Sequence, residues 1–339
     1  MAATIRDIRD RTGLSLATIS KYLNGGNVLP ENRKAIAKAI EELHYEVNEV
    51  ARGLATRRTK TIGVLIHSFE NVFAGTIISN IENILRQHGY GTIVCDCQGD
   101  RDLEAEELLF LLGKRVDGII TIPISGDSAY LKPAFERNIP VVLIDRAFSD
   151  REMDCVLVDN VSAARQAVQV LLEKGHRRVA IVCGDESEFT ARERLKGYEQ
   201  ALEEYRIASD PALIKRGKLT VEHGYLSMKE LLEMEDRPTA VFMSNYEITL
   251  GGIVAVNELS VAFPDEISLI GFDNFLLSKV VNPPLWMVSQ PMEKIAITAA
   301  RLMLEKLDEA EKEDGEASEV RKIILETSIF RGESIQHLL

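Results

Sequence analysis

Apolar residues recur at helical spacing as far as Tyr45, and from Thr61 onward short apolar runs alternate with amphipathic stretches. The first region reads as three helices. Thr4 caps IRDIRDRT, which puts Ile5 and Ile8 on one face and stops at Gly13; Ser15 caps LATISKYLN, which ends at Asn24, Gly25 and Gly26. Pro30 opens a third helix through ENRKAIAKAIEELHY that buries Ile36, Ala39, Ile40 and Leu43. Two short helices joined by a glycine-bearing turn predict a helix-turn-helix, whose second helix enters the DNA major groove. Leu16, Ala17, Ser20 and Lys21 then face base edges, with Lys21 donating to a guanine and Leu16 or Ala17 touching a thymine methyl, while Ile19 and Leu23 face the core. Asn32 and Arg33, near the start of the third helix, are placed to hold phosphates. A three-helix protein-interaction module would show the same periodicity.

Beyond Thr61, strand-like runs at 61–67, 91–96, 117–122, 139–145 and 155–158 alternate with helical stretches, and a second series follows at 178–183, 239–244 and 267–272. This alternation predicts two α/β lobes, each a parallel sheet covered on both faces. KIILETSIF reads as the last strand, preceded by an acidic, solvated loop from Glu305 to Lys322. A helix around Thr76 to Gln87 carries Ile77, Ile81, Ile84 and Leu85, a stripe that suits either a dimer face or the core. No G-x-G-x-x-G or G-x-x-x-x-G-K-[ST] follows any strand, which disfavours a dinucleotide or P-loop enzyme, and no Ser/His/Asp set or metal-spaced histidine cluster stands out.

At 339 residues, with 45% hydrophobic and 27% charged positions, the composition is that of an ordinary soluble protein of two or three domains. No basic-then-apolar leader and no membrane-length run is seen, so the expectation is a cytoplasmic protein without membrane association. Cys95, Cys97, Cys155 and Cys183 all sit in strand-like stretches, where thiols pack as small hydrophobes. The net charge of −13 conceals an asymmetry: residues 1–60 hold 11 Lys and Arg against 7 Asp and Glu, whereas the rest hold 29 against 46. A basic head on an acidic body fits a nucleic-acid binder with a separate regulatory part.

The joint between them, YEVNEVARGLATRRTKTIGV, carries Arg52, Arg57, Arg58 and Lys60. Asn48 to Thr56 can be drawn as a helix, but one so short and interrupted by Gly53 is frayed on its own. Against a polyanion it can fold and offer Leu54, set among Ala51, Gly53 and Ala55, as a wedge between base steps. From these residues alone, a solvated linker whose leucine packs locally is the simpler account.

TIRDIRDRTGLSLATISKYLNG, then NVLPENRKAIAKAIEELHY and ARGLATRRTKTIGV, resemble the head and hinge of the lactose-repressor (LacI/GalR) family. VDGIITIP, IPVVLIDR, ERLKGY, RPTAVFMSN and SLIGFDN extend the resemblance over nearly the whole chain. The resemblance implies a homodimer on double-stranded, near-palindromic operator DNA, with a hinge that folds on DNA and Leu54 opening the central minor-groove step. The candidate DNA-contacting set is then Thr4, Ser15, Leu16, Ala17, Thr18, Ser20, Lys21, Asn24, Asn32, Arg33, Ala51, Leu54 and Ala55. Lys21 departs from the Arg or His of many members, and Leu29 replaces a polar residue. Divisions follow as a headpiece 1–47, a hinge 48–60 and a periplasmic-binding-protein-like core 61–339, its N-lobe at 61–160 and 291–320 and its C-lobe at 161–290 and 321–339.

By the same resemblance a small-molecule effector lies between the lobes, a sugar above all, with a plain sugar, a phosphorylated sugar and a nucleobase all open, and no cofactor is implied. Ligands in open α/β sheets sit beyond the carboxyl ends of the strands. Those ends supply Ser68 for a hydroxyl, Phe73 for stacking or for the core, Arg146, Arg194, Asn245 and Asp273. Asp273 with Arg194 and Arg146 offers planar groups for vicinal hydroxyls. Asn245-Tyr246 stands where relatives read Asn-Asp, and Leu219 where many carry a stacking aromatic, so the ligand is expected to be unusual. Two other classes fit less well: a sugar-transport protein, which leaves the basic head unexplained, and an enzyme using Asp145 and Asp273 as acid and base.

Overall fold

The computed structural model describes residues 3–23, 25–45, 53, 58–273, 275–310 and 319–338. The chain divides into two compact units, Met1–Lys60 and Thr61–Leu339.

In the first unit the helices are α1 (Ile5–Thr12), α2 (Leu16–Leu23) and α3 (Pro30–Leu43). Their limits follow from the caps. Thr4 donates both its N–H and its hydroxyl to Asp7 Oδ2 at 2.7 Å, and Gly13 ends α1 at φ 69°, a left-handed conformation that a side chain would strain. The Ser15 hydroxyl accepts from the Thr18 N–H at 3.2 Å and so starts α2. Ile8, Ile19, Ile36 and Ala39 form the sealed centre, with Ile5, Leu23, Ile40 and Leu43 packed around it. Each fully buried isoleucine contributes about 1.5–3 kcal/mol. Arg11 of α1 pairs with Glu42 of α3 at 2.7 Å, and the Arg33 guanidinium lies 5.5 Å from the centre of the Tyr22 ring, tying α3 to α2.

The second unit contains two six-stranded sheets. In chain order the elements are β1 (Thr61–Ile66), α4 (Val72–Gln87), β2 (Gly91–Asp96), α5 (Arg101–Gly113), β3 (Gly118–Thr121), α6 (Lys132–Phe135), β4 (Val141–Ile144) and β5 (Cys155–Val158). Then come α7 (Asn160–Glu173), β6 (Val179–Gly184), α8 (Phe189–Glu204), β7 (Ile214–Gly217), α9 (Val221–Glu233), β8 (Ala240–Met243), α10 (Tyr246–Glu258), β9 (Ser268–Asp273), α11 (Phe275–Val280) and β10 (Trp286–Ser289). The last are α12 (Met292–Glu309), β11 (Lys322–Leu325) and β12 (Ser328–Phe330). The N-lobe sheet runs β11-β5-β4-β3-β1-β2 and the C-lobe sheet β12-β10-β9-β8-β6-β7. All pairings are parallel except β10 with β12.

Parallel strands covered by helices on both faces are buried on both sides, which is why β4, β5, β8 and β9 are apolar runs without alternation. One face of the N-lobe sheet packs on α4 and α12, the other on α5. Ile77, Ile81 and Leu85 of α4 are completely buried there, so that stripe is core and not an exposed dimer face. In the C-lobe, α9 and α10 cross so closely that a Cβ at Gly251 would come within 2.0 Å of the Val221 carbonyl oxygen. The starts of both helices, at Val221 and Tyr246, line the inter-lobe cleft.

Three expectations need correction. KIILETSIF is two strands, β11 in one sheet and β12 in the other, so the chain's third crossing between lobes falls after Leu325 and not near 320. The acidic stretch is helical as far as Glu309; its residues 311–318 lie outside the described part. β7 and β10 were not anticipated. IKRG is a largely polar edge strand and WMVS is short and bounded by prolines, so neither carries a clear period. The four cysteines are free and buried, three of them in strands and Cys97 just beyond β2, and burial pushes the Cys95 thiol up to about 12. Among the described residues no helix is long and apolar enough to cross a membrane.

Candidate DNA-binding surface and inter-lobe cleft

On the headpiece, α2 turns Leu16, Ala17 and Lys21 outward while Ile19 is sealed in the core. Leu16 is 38% exposed, which leaves it available for apolar contact with a base. Ser20 and Thr18 are half-buried, and Thr18 and Ser15 share a hydroxyl contact of 2.9 Å. Asn32 is half-buried at the start of α3, with Arg33 exposed beside it. Thr4 spends both of its donors on Asp7, so it acts as a cap and offers a phosphate nothing to accept. Asn24, Ala51, Leu54 and Ala55 lie outside the described residues.

In the body, a cleft of about 540 Å³ opens between the lobes at the carboxyl ends of the strands. From the N-lobe it is lined by His67, Ser68, Asn71, Gln98 and Arg146 among others; from the C-lobe by Glu188, Leu219, Thr220, Asn245, Tyr246 and Glu247. Two polar pairs cross it. Asn71 Nδ2 donates to Glu247 Oε1 at 2.8 Å, and Arg146 Nη1 meets Glu188 Oε2 at 2.5 Å.

Asn245 caps α10 by accepting from the Ile248 N–H at 2.9 Å, which fixes its Nδ2 to donate to Glu247 Oε2 at 2.7 Å. Glu247 thus receives one amide from each lobe. Burial, reinforced by the nearby Asp273 charge, raises its carboxyl from 4.5 to about 7, against the lowering effect of Asn71 and the local backbone. His67 moves the other way, to about 4, because burial and the Arg146 charge both disfavour the imidazolium.

Behind this lining, Arg194 is only 3% exposed. It donates Nε to Asn160 Oδ1 at 2.8 Å and Nη1 to the Ser244 carbonyl at 2.6 Å, stands 3.7 Å from Asp273 Oδ1, and lies over the Phe272 ring. Asp273 also accepts from Gln290 Nε2 and from the Tyr246 N–H. Together they brace the turn that carries Asn245 and Tyr246. Asp145 and Asp273 both hold positive φ, 67° and 88°, backbone conformations that cost about 1–3 kcal/mol and collect at functional sites. The Asp145 carboxyl is raised by burial, opposed by Arg194 and Arg146.

Two family profiles match this chain. One, described as "Bacterial regulatory proteins, lacI family", covers residues 4–48, and the other, "Periplasmic binding proteins and sugar binding domain of LacI family", covers residues 59–328. The chain belongs to the LacI family. It is 35% identical to catabolite control protein A of Priestia megaterium over 89% of this chain and 92% of that one. It is 32% identical to the HTH-type transcriptional repressor PurR of Histophilus somni (strain 2336) over 92% and 94%. Among solved structures, a transcriptional regulator CelR–cellobiose complex superposes with TM-score 0.74 at 26% identity, over 98% of this chain and 99% of that one. This LacI-family member is a DNA-binding transcription regulator with a ligand-binding body.

Of the body residues singled out from sequence, Ser68, Arg146 and Asn245 line the cleft. Phe73 does not: at positions 73, 77 and 81 the helix presents one face, and that face lies in the N-lobe core. Arg194 and Asp273 do meet, but behind the cleft wall and not as part of its lining. Sequence reasoning missed His67, Asn71, Gln98, Glu188 and Glu247. His67 directly follows β1 and Gln98 lies two residues beyond β2, so the strand-end rule contained them; Asn71 and Glu247 were legible only as members of helix starts.

Proposed function

We propose that this regulator is a cytoplasmic repressor that binds a near-palindromic operator as a homodimer and answers to a sugar in the inter-lobe cleft. The observation that carries the reading is the pair of polar links across the cleft, Asn71 to Glu247 and Arg146 to Glu188. A polyol entering there competes for these same groups, so binding and lobe arrangement are one equilibrium. The ligand shifts operator affinity by its differential affinity for the two arrangements, typically about 1–3 kcal/mol. Ser68, Arg146 and Asn245 contact the effector, with Arg194 and Asp273 holding the turn behind Asn245. The cellobiose in CelR supports a sugar as the ligand class.

At the DNA, Lys21 and Leu16 read base edges from α2, Arg33 and Asn32 hold phosphates, and Leu54 wedges into the central step with Ala51 and Ala55 beside it. The acid–base rival is weaker, because Asp273 is already occupied by Gln290, the Tyr246 N–H and Arg194. The test is a thermal-shift screen of neutral sugars followed by operator titration with and without each hit. The reading expects at least one sugar to raise the melting temperature and to change operator affinity in the same concentration range. Stabilisation with no effect on operator affinity counts against it.

A further inference from the structure

A second cavity, of about 270 Å³, adjoins the effector cleft and shares Ile124 and Arg146 with it. The two rooms differ in charge. The larger one is lined by Glu70, Glu188 and Glu247 against a single arginine, Arg146, with His67 held neutral. The smaller is lined by Arg146 and Arg192 and by no carboxylate. The acids bonded around it are already engaged: Glu104 accepts the N–H groups of the wall residues Ile124 and Ser125, Asp150 accepts the Ser128 N–H and hydroxyl, and Asp185 accepts the Ser187 N–H.

The donors here are positioned in advance. Arg146 is 9% exposed and spends Nη1 on Glu188, yet its buried Nε has no hydrogen-bond partner. Arg192 lies 6.0 Å from the Phe189 ring centre and gives Nη1 to the Glu186 carbonyl at 2.8 Å, which holds the guanidinium at the wall. α8 begins at Phe189, another wall residue, and no side chain caps it, so its first-turn N–H groups add positive potential at the same place. Ser149 supplies a hydroxyl. Ser125 does not, since its N–H and hydroxyl both go to Glu104 Oε2. Two forked guanidiniums with a helix start are the chemistry of an oxyanion site.

We propose that this cavity is an oxyanion subsite of the effector cleft: the effector is a sugar bearing a terminal phosphate or carboxylate, its hydroxyls in the larger room and its anion between Arg146 and Arg192. The inference rests on the effector reading given above. The larger room holds Glu70 and the Arg146–Glu188 pair, with the Glu247 carboxyl raised toward neutrality, whereas the smaller adds Arg192 and no carboxylate of its own, so the anionic end of the ligand is drawn to the smaller room.

The test is calorimetric titration of the full chain at fixed ionic strength. Matched sets are glucose, glucuronate and glucose 6-phosphate; the galactose equivalents; and ribose with ribose 5-phosphate, with inorganic phosphate alone as a further probe. In at least one set the anionic member binds on the order of tenfold tighter than its neutral parent. Arg192→Gln abolishes that preference and Ser149→Ala reduces it, and the phosphate and uronate arms tell which anion is natural. The subsite is overturned if neutral sugars bind as tightly as their anionic partners, or if the preference survives Arg192→Gln; either result leaves the sugar reading standing. Binding of inorganic phosphate that depends on Arg192, with every sugar silent, supports the subsite and removes the sugar. Silence from all probes removes both.

Discussion

Glu247→Gln isolates the energetics of the link between the lobes. The wild-type carboxyl is raised from 4.5 to about 7, chiefly by burial. This displacement corresponds to roughly 3 kcal/mol, trimmed to about 2 because the side chain is not fully enclosed. The folded chain keeps a proton that the unfolded chain releases between pH 4.5 and 7. This contribution is therefore complete below pH 4.5 and is lost as pH rises through 7. Glutamine removes the charge and keeps an oxygen to accept from Asn71, but turns its own amide hydrogens toward Asn245 Nδ2, a mismatch costing about 1 kcal/mol. At about pH 8 the variant is then more stable than wild type by about 1 kcal/mol, and at about pH 5 less stable by a similar amount. For a unit of this size the melting temperature moves by about 2 °C in each direction. Scanning calorimetry of both chains across that range reads the difference directly, and groups that titrate alike in both cancel. A melting-temperature difference that stays constant with pH refutes the reasoning.

Three further outcomes follow from the geometry. Arg194→Ala removes the donor to Asn160 Oδ1 and the Ser244 carbonyl and the positive charge beside the buried Asp273, and costs about 3–5 kcal/mol of body stability, read by urea unfolding; wild-type stability would show the bracing role to be wrong. Lys21→Ala relaxes base preference at one operator position by about 1–3 kcal/mol, and an unchanged preference in a duplex selection contradicts the assignment. Leu54→Ala lowers specific operator affinity while sparing nonspecific binding, because a wedge trades unstacking for a bent site; equal loss on both counts against it.

The headpiece was legible because its helix limits are written in local chemistry. Thr4 with Asp7, Gly13, Ser15 and Pro30 each act within a few residues, and the structure puts α1, α2 and α3 within a residue or two of the expected ends. Central strands were equally plain, since burial on both faces demands unbroken apolar runs. Edge strands escape that demand, and β7 was missed for that reason. KIILETSIF misled because an apolar run says nothing about which sheet it joins; the change of lobe occurs between Leu325 and Ser328.

The cleft was legible only in part. The strand-end rule found Ser68, Arg146 and Asn245, but it cannot tell a residue that lines a cleft from one that braces it, and Arg194 and Asp273 are of the second kind. Phe73 shows the opposite error: an aromatic near a strand end is as readily core as ligand platform, and its spacing to Ile77 and Ile81 decides. The cross-lobe pairs join residues far apart in sequence, Asn71 with Glu247 and Arg146 with Glu188, and no local pattern encodes them.

The central claim is that this chain reads a DNA sequence and that the cleft governs the reading. The most direct measurement is selection of full-length protein against a randomised duplex library at fixed salt, followed by titration of the enriched duplex with and without a cleft ligand. The account predicts a near-palindromic consensus whose affinity changes when the ligand binds. Recovery of no consensus, or a consensus whose affinity is indifferent to a ligand shown calorimetrically to occupy the cleft, contradicts it.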